Sequence, residues 1–283
     1  MTPLPHIYRC RDNRAIFYTW FSAMHTRVDI TLAGNRPERE MLVAAADMRD
    51  RMLRTERIGN CFDSCSELSL VNREAATHPV AVSAELENIL TDCLRYSRQT
   101  DGLFDIAAGS LSSDHIIIPG DGTIAFSRRG LYLNLSGFLK GYALEQLRAI
   151  LDTHEFADAL ISLGNSSVMA RGDVNPGQGW TVAFGSRNPS HGPVNGITLH
   201  NRCLTTSGND RPERRHIIAP RTGRFIEGAR SVSIVNDNAA EGEVLATAHF
   251  IDPAIKFPSF APCRLITAES LSAGQERFQR TDR

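Results

Sequence analysis

The sequence predicts an α+β fold, built mainly from antiparallel sheets with helices flanking them. Helical and strand-like patterns come in runs that do not alternate regularly, and this order favours α+β over a parallel α/β sheet. An apolar content of 42% in 283 residues is enough for a substantial core. Because no linker or repeat divides the chain, we expect a single domain over residues 1–283. Its core should run from about residue 20 to 252, and a polar tail from about residue 270 should fray.

The first hundred residues predict one strand and two helices. Residues 20–33, WFSAMHTRVDITLA, alternate in their second half as a strand does. Asn35 and Pro37 then open one helix, and Ser83 opens another that should end near residues 101–102. Apolar residues recur at helical spacing in both: Met41, Leu42, Ala45, Met48, Met52 and Leu53, then Leu86, Ile89, Leu90, Cys93 and Leu94.

The rest of the chain predicts short strands and two more helices. Residues 114–135 contain the strand-like runs HIII, IAFS and LYLNL, joined by turns. A helix follows the turn Ser136-Gly137. Six further strands are predicted between residues 157 and 235, in ALISLG, GWTVAFG, GITLH, RCLTTSG, RHIIAP and SVSIV. The last helix should start at Asn238, which can cap it, with Glu241 at the reciprocal capping-box position.

Composition argues against several classes of function. The formal net charge is -1 without blocks of like charge, so a nucleic-acid or anionic-lipid partner is not expected. The sequence has no stretch of 18 apolar residues and no secretory signal at its amino terminus. The six cysteines are scattered, and we interpret them as reduced packing residues rather than a zinc site. We therefore expect a cytoplasmic protein with a small-molecule site or a protein partner, of undefined oligomeric state.

Lys140 stands at the start of a helix that follows a strand and a tight turn. That arrangement exposes free backbone N–H groups to an anion, and Lys140 could add a positive charge beside a phosphate. The segment lacks the spacing of a P-loop, and surface lysines near helix starts are common. From these residues alone, phosphate binding and a solvated lysine both remain open.

Two other segments carry candidate chemistry. Glu243 and Thr247 lie four residues apart on one helix face, where they could hold Mg²⁺ through oxygen or could be an ordinary solvated pair. His216, at a strand start, could act as a general base near a phosphate or only form hydrogen bonds. The sequence contains no nucleophile elbow, zinc-protease helix or dinucleotide G-x-G-x-x-G motif.

Seven segments between about residues 20 and 252 contain short motifs that follow one another in a particular order. They are FSAMHTRVDITL, CSELSLVN, TDGLFDIAAGSL, LNLSGFLKGYALEQL, ALISLGNSSVMARG, TTSGNDRPERRHIIAPRTG and AAEGEVLATA. This order resembles the ApbE-like family, the FAD:protein FMN transferases. The most specific match is LNLSGFLKGYA, which resembles the family's Asp-Leu-Ser-Gly-x-x-Lys-Gly-Tyr-Ala.

The resemblance implies an α+β fold of ApbE-like, T-fold-like architecture and an enzyme that binds FAD and Mg²⁺. Such an enzyme transfers FMN to a threonine or serine hydroxyl of an acceptor flavoprotein and releases AMP. By position, Lys140 and His216 would be catalytic. Mg²⁺ would be held by the backbone carbonyl of Gly137 and the side chains of Glu243 and Thr247. The FAD site would be formed by Met24, Phe62, Phe104, Asp105, Asn134, Lys140 and His216.

The chain departs from the family pattern at several positions. Asn134 and Glu243 each stand where the family usually has Asp, Ala219 replaces an Asp, and His25 replaces a glycine. Residues 164–167 read Gly-Asn-Ser-Ser rather than Gly-Gly-Asn or Gly-Gly-Asp. Two other functions therefore stay open beside the transferase: Mg²⁺-dependent hydrolysis of FAD to FMN and AMP, and flavin binding without catalysis.

Overall fold

The computed structural model describes residues 4–184, 195–209, 216–227, 230–256, 259–271 and 275–281, and these ranges contain five α-helices. The helices are α1 (Glu38–Gly59), α2 (Glu67–Glu74), α3 (Ala84–Gln99), α4 (Leu139–Thr153) and α5 (Ala239–Ile251). None of the described helices combines the length and apolarity needed to cross a bilayer.

The described residues also form sixteen strands. In the first half of the chain these are β1 (His6–Arg11), β2 (Arg14–Ala23), β3 (Thr26–Gly34), β4 (Val80–Ala81), β5 (Ile116–Ile117), β6 (Thr123–Phe126), β7 (Asp158–Leu163) and β8 (Ser167–Arg171). In the second half they are β9 (Trp180–Phe184), β10 (Asn195–Leu199), β11 (Arg202–Gly208), β12 (Ile218–Ala219), β13 (Arg224–Phe225), β14 (Arg230–Asn236), β15 (Arg264–Leu271) and β16 (Gln275–Thr281).

Nine strands form one sheet, in the order β1-β2-β3-β7-β8-β11-β14-β15-β16. Every neighbouring pair in this sheet is antiparallel. The helices lie beside this sheet and a smaller three-stranded one of order β4-β6-β5. The predicted α+β class with mainly antiparallel sheet is confirmed.

The large sheet is covered on both faces. Helices α1 and α4 pack on β2, β3 and β7 through a core that includes Met48, Leu147 and Ile30. The β9–β10 hairpin packs on the other face through Trp180 and Leu199. Because both faces are buried, this sheet is a rigid support for the turns at the ends of its strands.

Helix α5 joins the cores of the molecule. Ala239, at its start, belongs to the core between α1, α4 and the sheet, and Phe250, near its end, packs with β14. Val244 faces a separate core formed by α2, α3 and the small sheet. Its predicted N-cap is confirmed, because the Asn238 side chain accepts a hydrogen bond from the backbone N–H of Glu241. The carboxylate of Glu145 on α4 accepts from the N–H of Ala239, at a distance of 2.7 Å.

The segment LYLNL, predicted as a strand, has no strand pairing in the structure. Residues 131–135 are instead held by single hydrogen bonds. Both the N–H and the carbonyl of Leu133 bond to the side-chain amide of Asn72, at 2.8 and 2.9 Å, and the N–H of Asn134 donates to the backbone carbonyl of Ile106 at 2.8 Å. The strand prediction was wrong because alternating burial also arises when a side chain takes the place of a neighbouring strand. Leu131, Leu133 and Leu135 alternate with exposed residues and point into the core.

Three further elements differ from the sequence-based expectation. The β1–β2 hairpin extends the sheet toward the amino terminus, and the short helix α2 follows an N-cap at Ser66. The tail, expected to fray, contributes β16, which pairs with β15 from residue 275 to 281. Parts of two predicted features, the strand RHIIAP at residue 215 and the tail at residues 272–274 and 282–283, lie outside the described residues.

Candidate functional site

The β2–β3 turn, the β7–β8 turn and the end of β11 meet where these central strands of the large sheet end. This end of the strands is called the sheet edge. The β7–β8 turn contacts the start of β3, because the N–H of Gly164 donates to the carbonyl of Arg27 at 2.9 Å. On its other side, the N–H of Thr206 in β11 donates to the carbonyl of Ser166 at 2.7 Å. The β2–β3 turn, formed by Met24 and His25, lies at the same edge. These contacts bring together three of the seven sequence motifs, FSAMHTRVDITL, ALISLGNSSVMARG and the start of TTSGNDRPERRHIIAPRTG.

Helices α4 and α5 touch each other beside this edge. A Cβ atom at Gly141 would come within 2.7 Å of the Cγ atom of Glu243, so the first turn of α4 lies against α5 without room for a methyl group. This contact places Lys140, one residue earlier, beside the first half of α5. The two motifs LSGFLKGYA and AAEGEVLATA therefore meet in space, as the resemblance predicts.

The Lys140 ammonium lies at the β7–β8 turn, where its Nζ atom is 2.5 Å from the Oγ atom of Ser166. Lys140 is half-buried, and its positive charge is felt by Glu243. A lysine that is anchored at one point and partly exposed retains protons that can bond an anion.

Glu243 is only 3% exposed, which is unusual for a carboxylate. Its Oε1 atom accepts a hydrogen bond from the hydroxyl of Ser167. Burial raises the pKa of Glu243, while the Lys140 charge and the Ser167 hydrogen bond lower it. The sequence left open a solvated glutamate, and the structure rules that out.

Thr247 lies one helical turn beyond Glu243 and faces Gly137. A Cβ atom at Gly137 would be 4.0 Å from the Oγ1 atom of Thr247, and the same hydroxyl is 3.1 Å from the Oγ atom of Ser207. A carboxylate, a hydroxyl and an exposed glycine backbone are thus close to one another. Oxygen donors of this kind suit a hard cation such as Mg²⁺, which retains water or substrate oxygens in its other positions.

The donor set contains a single carboxylate. Among the described residues no group of three or more His, Cys, Asp or Glu side chains could hold a metal ion. Sites built from softer ligands, such as zinc with cysteine and histidine, do not fit these residues. The residues fit Mg²⁺ if backbone, hydroxyl and substrate oxygens complete its coordination.

An aromatic pair stands beside the sheet edge. Phe62 is 67% exposed, and its ring centroid is 6.0 Å from that of His25 in an edge-on arrangement. Met24 and His25 both have positive φ angles, 52° and 56°, as a two-residue hairpin of this twist requires. An exposed phenylalanine beside a polar site offers an apolar surface to a planar ligand.

Three other predicted site residues have structural partners. The Oδ1 atom of exposed Asn134 accepts from the N–H of Ser136 at 2.9 Å, which shapes the turn before α4. Phe104 is 3% exposed and packs near Phe138 in the core. The half-buried carboxylate of Asp105 accepts from two backbone N–H groups and holds the loop after α3, and burial raises its pKa. In this structure Phe104 and Asp105 stabilise the loop, and contact with FAD stays a prediction for both.

His216 is exposed and lies two residues before β12, next to residues 210–215, which are outside the described ranges. Its neighbour Ile217 packs with Leu245 and Ala246 of α5. In the same hairpin, Ile218 contacts Gly109, so the loop after α3 and the β12–β13 hairpin lie together. The role of His216 as a base stays a prediction.

The sequence interpretation missed Ser166 and Ser167 as partners of Lys140 and Glu243. Their signal was the Gly-Asn-Ser-Ser sequence of residues 164–167. Spacing along the chain could not assign the partners, because Ser167 and Glu243 are 76 positions apart.

Comparison with known proteins agrees with this arrangement. The model of the ApbE family matches residues 24–265. A FAD:protein FMN transferase of Salmonella typhimurium is 27% identical over 222 residues, covering 64% of this chain and 63% of the relative. One of Rhodobacter capsulatus is 35% identical over 152 residues, covering 50% of this chain and 28% of the relative. The chain thus spans less than two thirds of the length of either.

Solved structures share the fold. The flavin transferase ApbE of Vibrio cholerae superposes with a TM-score of 0.80 at 16% identity, over 99% of this chain and 98% of that one. The ApbE protein of Thermotoga maritima gives a TM-score of 0.78 at 19% identity, over 94% and 97% of the two chains. With a family match across most of its length and a fold shared from end to end, the chain belongs to the ApbE family.

Proposed function

We propose that this protein transfers the FMN part of FAD to a threonine or serine hydroxyl of an acceptor flavoprotein, uses Mg²⁺, and releases AMP. The observation that carries the proposal is the meeting of Lys140, Glu243 and Thr247 on two touching helices at one edge of the sheet. The names of the relatives, FAD:protein FMN transferase, support it. A cytoplasmic location stays a prediction.

Lys140 is suited to the pyrophosphate of FAD. Negative charge develops on the bridging oxygen when its bond to the phosphorus of the FMN phosphate breaks, while its bond to the AMP phosphorus stays intact. An ammonium group held in place before the reaction stabilises that charge without having to reorganise. Its anchor at Ser166 fixes the Nζ atom beside the start of α4, where no side chain caps the helix.

Glu243, Thr247 and the backbone carbonyl of Gly137 would hold the metal ion. Bound there, Mg²⁺ would neutralise phosphate charge and polarise the phosphorus centre. Glu243 is buried, so its charge has few competing partners and is available to a cation.

His216 would take the proton of the attacking hydroxyl. That oxygen forms a bond to the phosphorus of the FMN phosphate, the phosphorus–oxygen bond to AMP breaks, and AMP leaves with the electron pair. The proton passes to the imidazole, which is exposed and able to return it to water. This chemistry needs positioned charge and a base, and no nucleophile from the protein itself.

The test is incubation of the protein with FAD and Mg²⁺, with and without a purified flavoprotein domain that naturally carries FMN on a threonine. Transfer gives an acceptor whose mass rises by one FMN, with one AMP released per adduct. The variants Lys140→Met, His216→Ala and Thr247→Val should each reduce the adduct, and Thr77→Val, in an exposed turn away from the site, should not.

Other outcomes identify other functions. AMP formed equally well without the acceptor would indicate hydrolysis of FAD. Tight FAD binding without AMP at any Mg²⁺ concentration would indicate a flavin-binding protein. In that case Asn134→Asp, which restores the acid of the family pattern, tests whether Asn134 is the cause.

A further inference from the structure

We propose that Ser166 and Ser167 are positioning residues that hold Lys140 and Glu243 apart, so that the ammonium and the carboxylate stay available to their separate ligands. This inference deepens the proposed function and rests on it. The two serines are consecutive, yet each bonds a different charged group: Ser166 contacts the Nζ atom of Lys140, and Ser167 contacts the Oε1 atom of Glu243.

The hydroxyl of Ser166 is oriented before it meets Lys140. It donates to the carbonyl of Leu163 at 3.3 Å, so a lone pair is left to accept from the ammonium at 2.5 Å. The backbone around it is also held, because the carbonyl of Ser166 accepts from the N–H of Thr206 at 2.7 Å. Ser166 therefore offers Lys140 a fixed acceptor at the end of a rigid strand.

Ser167 holds Glu243 from inside the sheet. It is fully buried, and in β8 it is paired on one side with Leu163 and on the other with Thr205. A carboxylate in such a place needs a donor, since an unpaired buried charge is strongly unfavourable. The Ser167 hydroxyl supplies this donor to one oxygen of Glu243.

These two hydrogen bonds keep the charges of Lys140 and Glu243 apart. Lys140 and Glu243 influence each other electrostatically, but in the described structure each bonds its own serine and no ion pair joins the two. Opposite charges in a low-dielectric site attract strongly, and a direct ion pair would occupy the groups that a pyrophosphate and a cation need. Each serine competes with that pair by giving its charged partner a hydrogen bond to a neutral hydroxyl group instead.

The experiment compares valine with threonine at both positions, since the two side chains have the same shape and differ in the hydroxyl group. The readouts are the dissociation constant for FAD in chelator, measured by flavin fluorescence, the affinity for Mn²⁺, measured by electron paramagnetic resonance, and kcat and KM for FMN transfer. Ser22→Val, on the exposed face of β2, is the control. Melting temperatures show which variants fold.

We expect Ser166→Val to weaken metal-free FAD binding by about tenfold and Ser167→Val to weaken Mn²⁺ binding by about tenfold, as for loss of a hydrogen bond to a charged group. Each threonine variant should recover most of the lost affinity. Valine variants that bind FAD and Mn²⁺ as tightly as the threonine variants would overturn the proposal. Equal loss in the valine and threonine variants would also overturn it, because shape rather than the hydroxyl would be responsible.

A stability cycle separates this inference from the proposed function. The cycle combines Ser166→Val with Lys140→Met, and a coupling free energy between the two sites is expected whether or not FMN is transferred. If the wild type binds FAD and Mn²⁺ without transferring FMN, the proposed function fails while the positioning roles are still measured. If the cycle shows no coupling, the positioning role of Ser166 fails, whatever the activity.

Discussion

Gly141 of α4 lies directly against the backbone of α5: a Cβ atom at this position would be 2.4 Å from the carbonyl oxygen of Ala239. Atoms do not approach so closely without a shift, and backbone cannot move aside as the end of a side chain can. Glycine here is needed for close approach and not for an unusual φ angle. The approach sets the distance between Lys140 and Glu243, which lie on either side of it.

We expect Gly141→Ala to destabilise the protein by about 1–3 kcal/mol, the usual result of inserting a methyl group where there is no space. The displaced helix should also reduce FMN transfer more than stability alone explains, because Lys140 moves with it. Urea denaturation and the adduct assay measure the two effects. Gly196→Ala is the control, since a Cβ atom there meets only the Cγ2 atom of Thr181, at 3.3 Å. Equal activity in both variants would contradict the close-approach argument.

Asn72 should be essential to the segment that leads into α4. Asn72→Ala removes two hydrogen bonds from the fully buried Leu133 and leaves its N–H and carbonyl without these partners. We expect the free energy of unfolding to fall by about 1–3 kcal/mol for each unsatisfied group, and by less where water can reach the group. Asn72→Asp should lose part of this stability, because a carboxylate can accept from Leu133 but cannot donate to it. Denaturant titration of the three proteins gives the order wild type, Asp, Ala.

The helices were predictable because their stability comes from apolar residues at regular spacing. Met41, Met48 and Met52, assigned from sequence to the buried face of α1, are all fully buried. The backbone structure of LYLNL was not predictable from the sequence. An alternating pattern indicates which side chains are buried, but it does not indicate which group forms hydrogen bonds with the backbone. Likewise β16 has a polar sequence, and its pairing with β15 depends on a partner strand that periodicity does not reveal.

The site was predicted unevenly for a similar reason. Lys140, Glu243 and Thr247 stand in motifs that the family shares, so order along the chain pointed to them. Phe104 stands in such a motif too, and its side chain packs in the core. Ser167 stands where this chain departs from the family, and its contact with Glu243 exists only because β8 runs beside α5.

Phe62 is expected to contribute to ligand binding and little to folding. Its side chain is 67% exposed, so Phe62→Ala should change the stability by less than about 0.5 kcal/mol. If its ring packs on the flavin, FAD should bind about tenfold more weakly, as for loss of an aromatic contact of 0.5–1.5 kcal/mol plus buried area. Fluorescence titration measures the affinity. Ile117→Ala, another exposed apolar residue, at 45%, is the matched control and should bind FAD normally.

The charge of Glu243 should make the metal-free wild type less stable than a variant with a neutral side chain at this position. Its carboxylate is buried with one hydroxyl donor, and a neutral amide of nearly the same shape avoids the cost of burying a charge. We expect Glu243→Gln to melt at a higher temperature than the wild type in chelator at neutral pH, by about 2–4 °C for each kcal/mol of relieved cost. The same variant should lose FMN transfer and gain little stability from Mg²⁺, whereas the wild type should be stabilised by it.

The pH dependence of this gain follows from the direction of the pKa shift. Burial raises the pKa of Glu243 above its ordinary value of 4.5, so the folded protein binds this proton more tightly than the unfolded chain does. The stability that the protonated carboxyl provides is therefore complete below that value and is lost as the pH rises through the folded pKa. The advantage of Glu243→Gln over the wild type should be large at neutral pH and vanish near about pH 4. Melting curves in chelator across this range measure it, and an advantage independent of pH would show that the charge of Glu243 is not its cause.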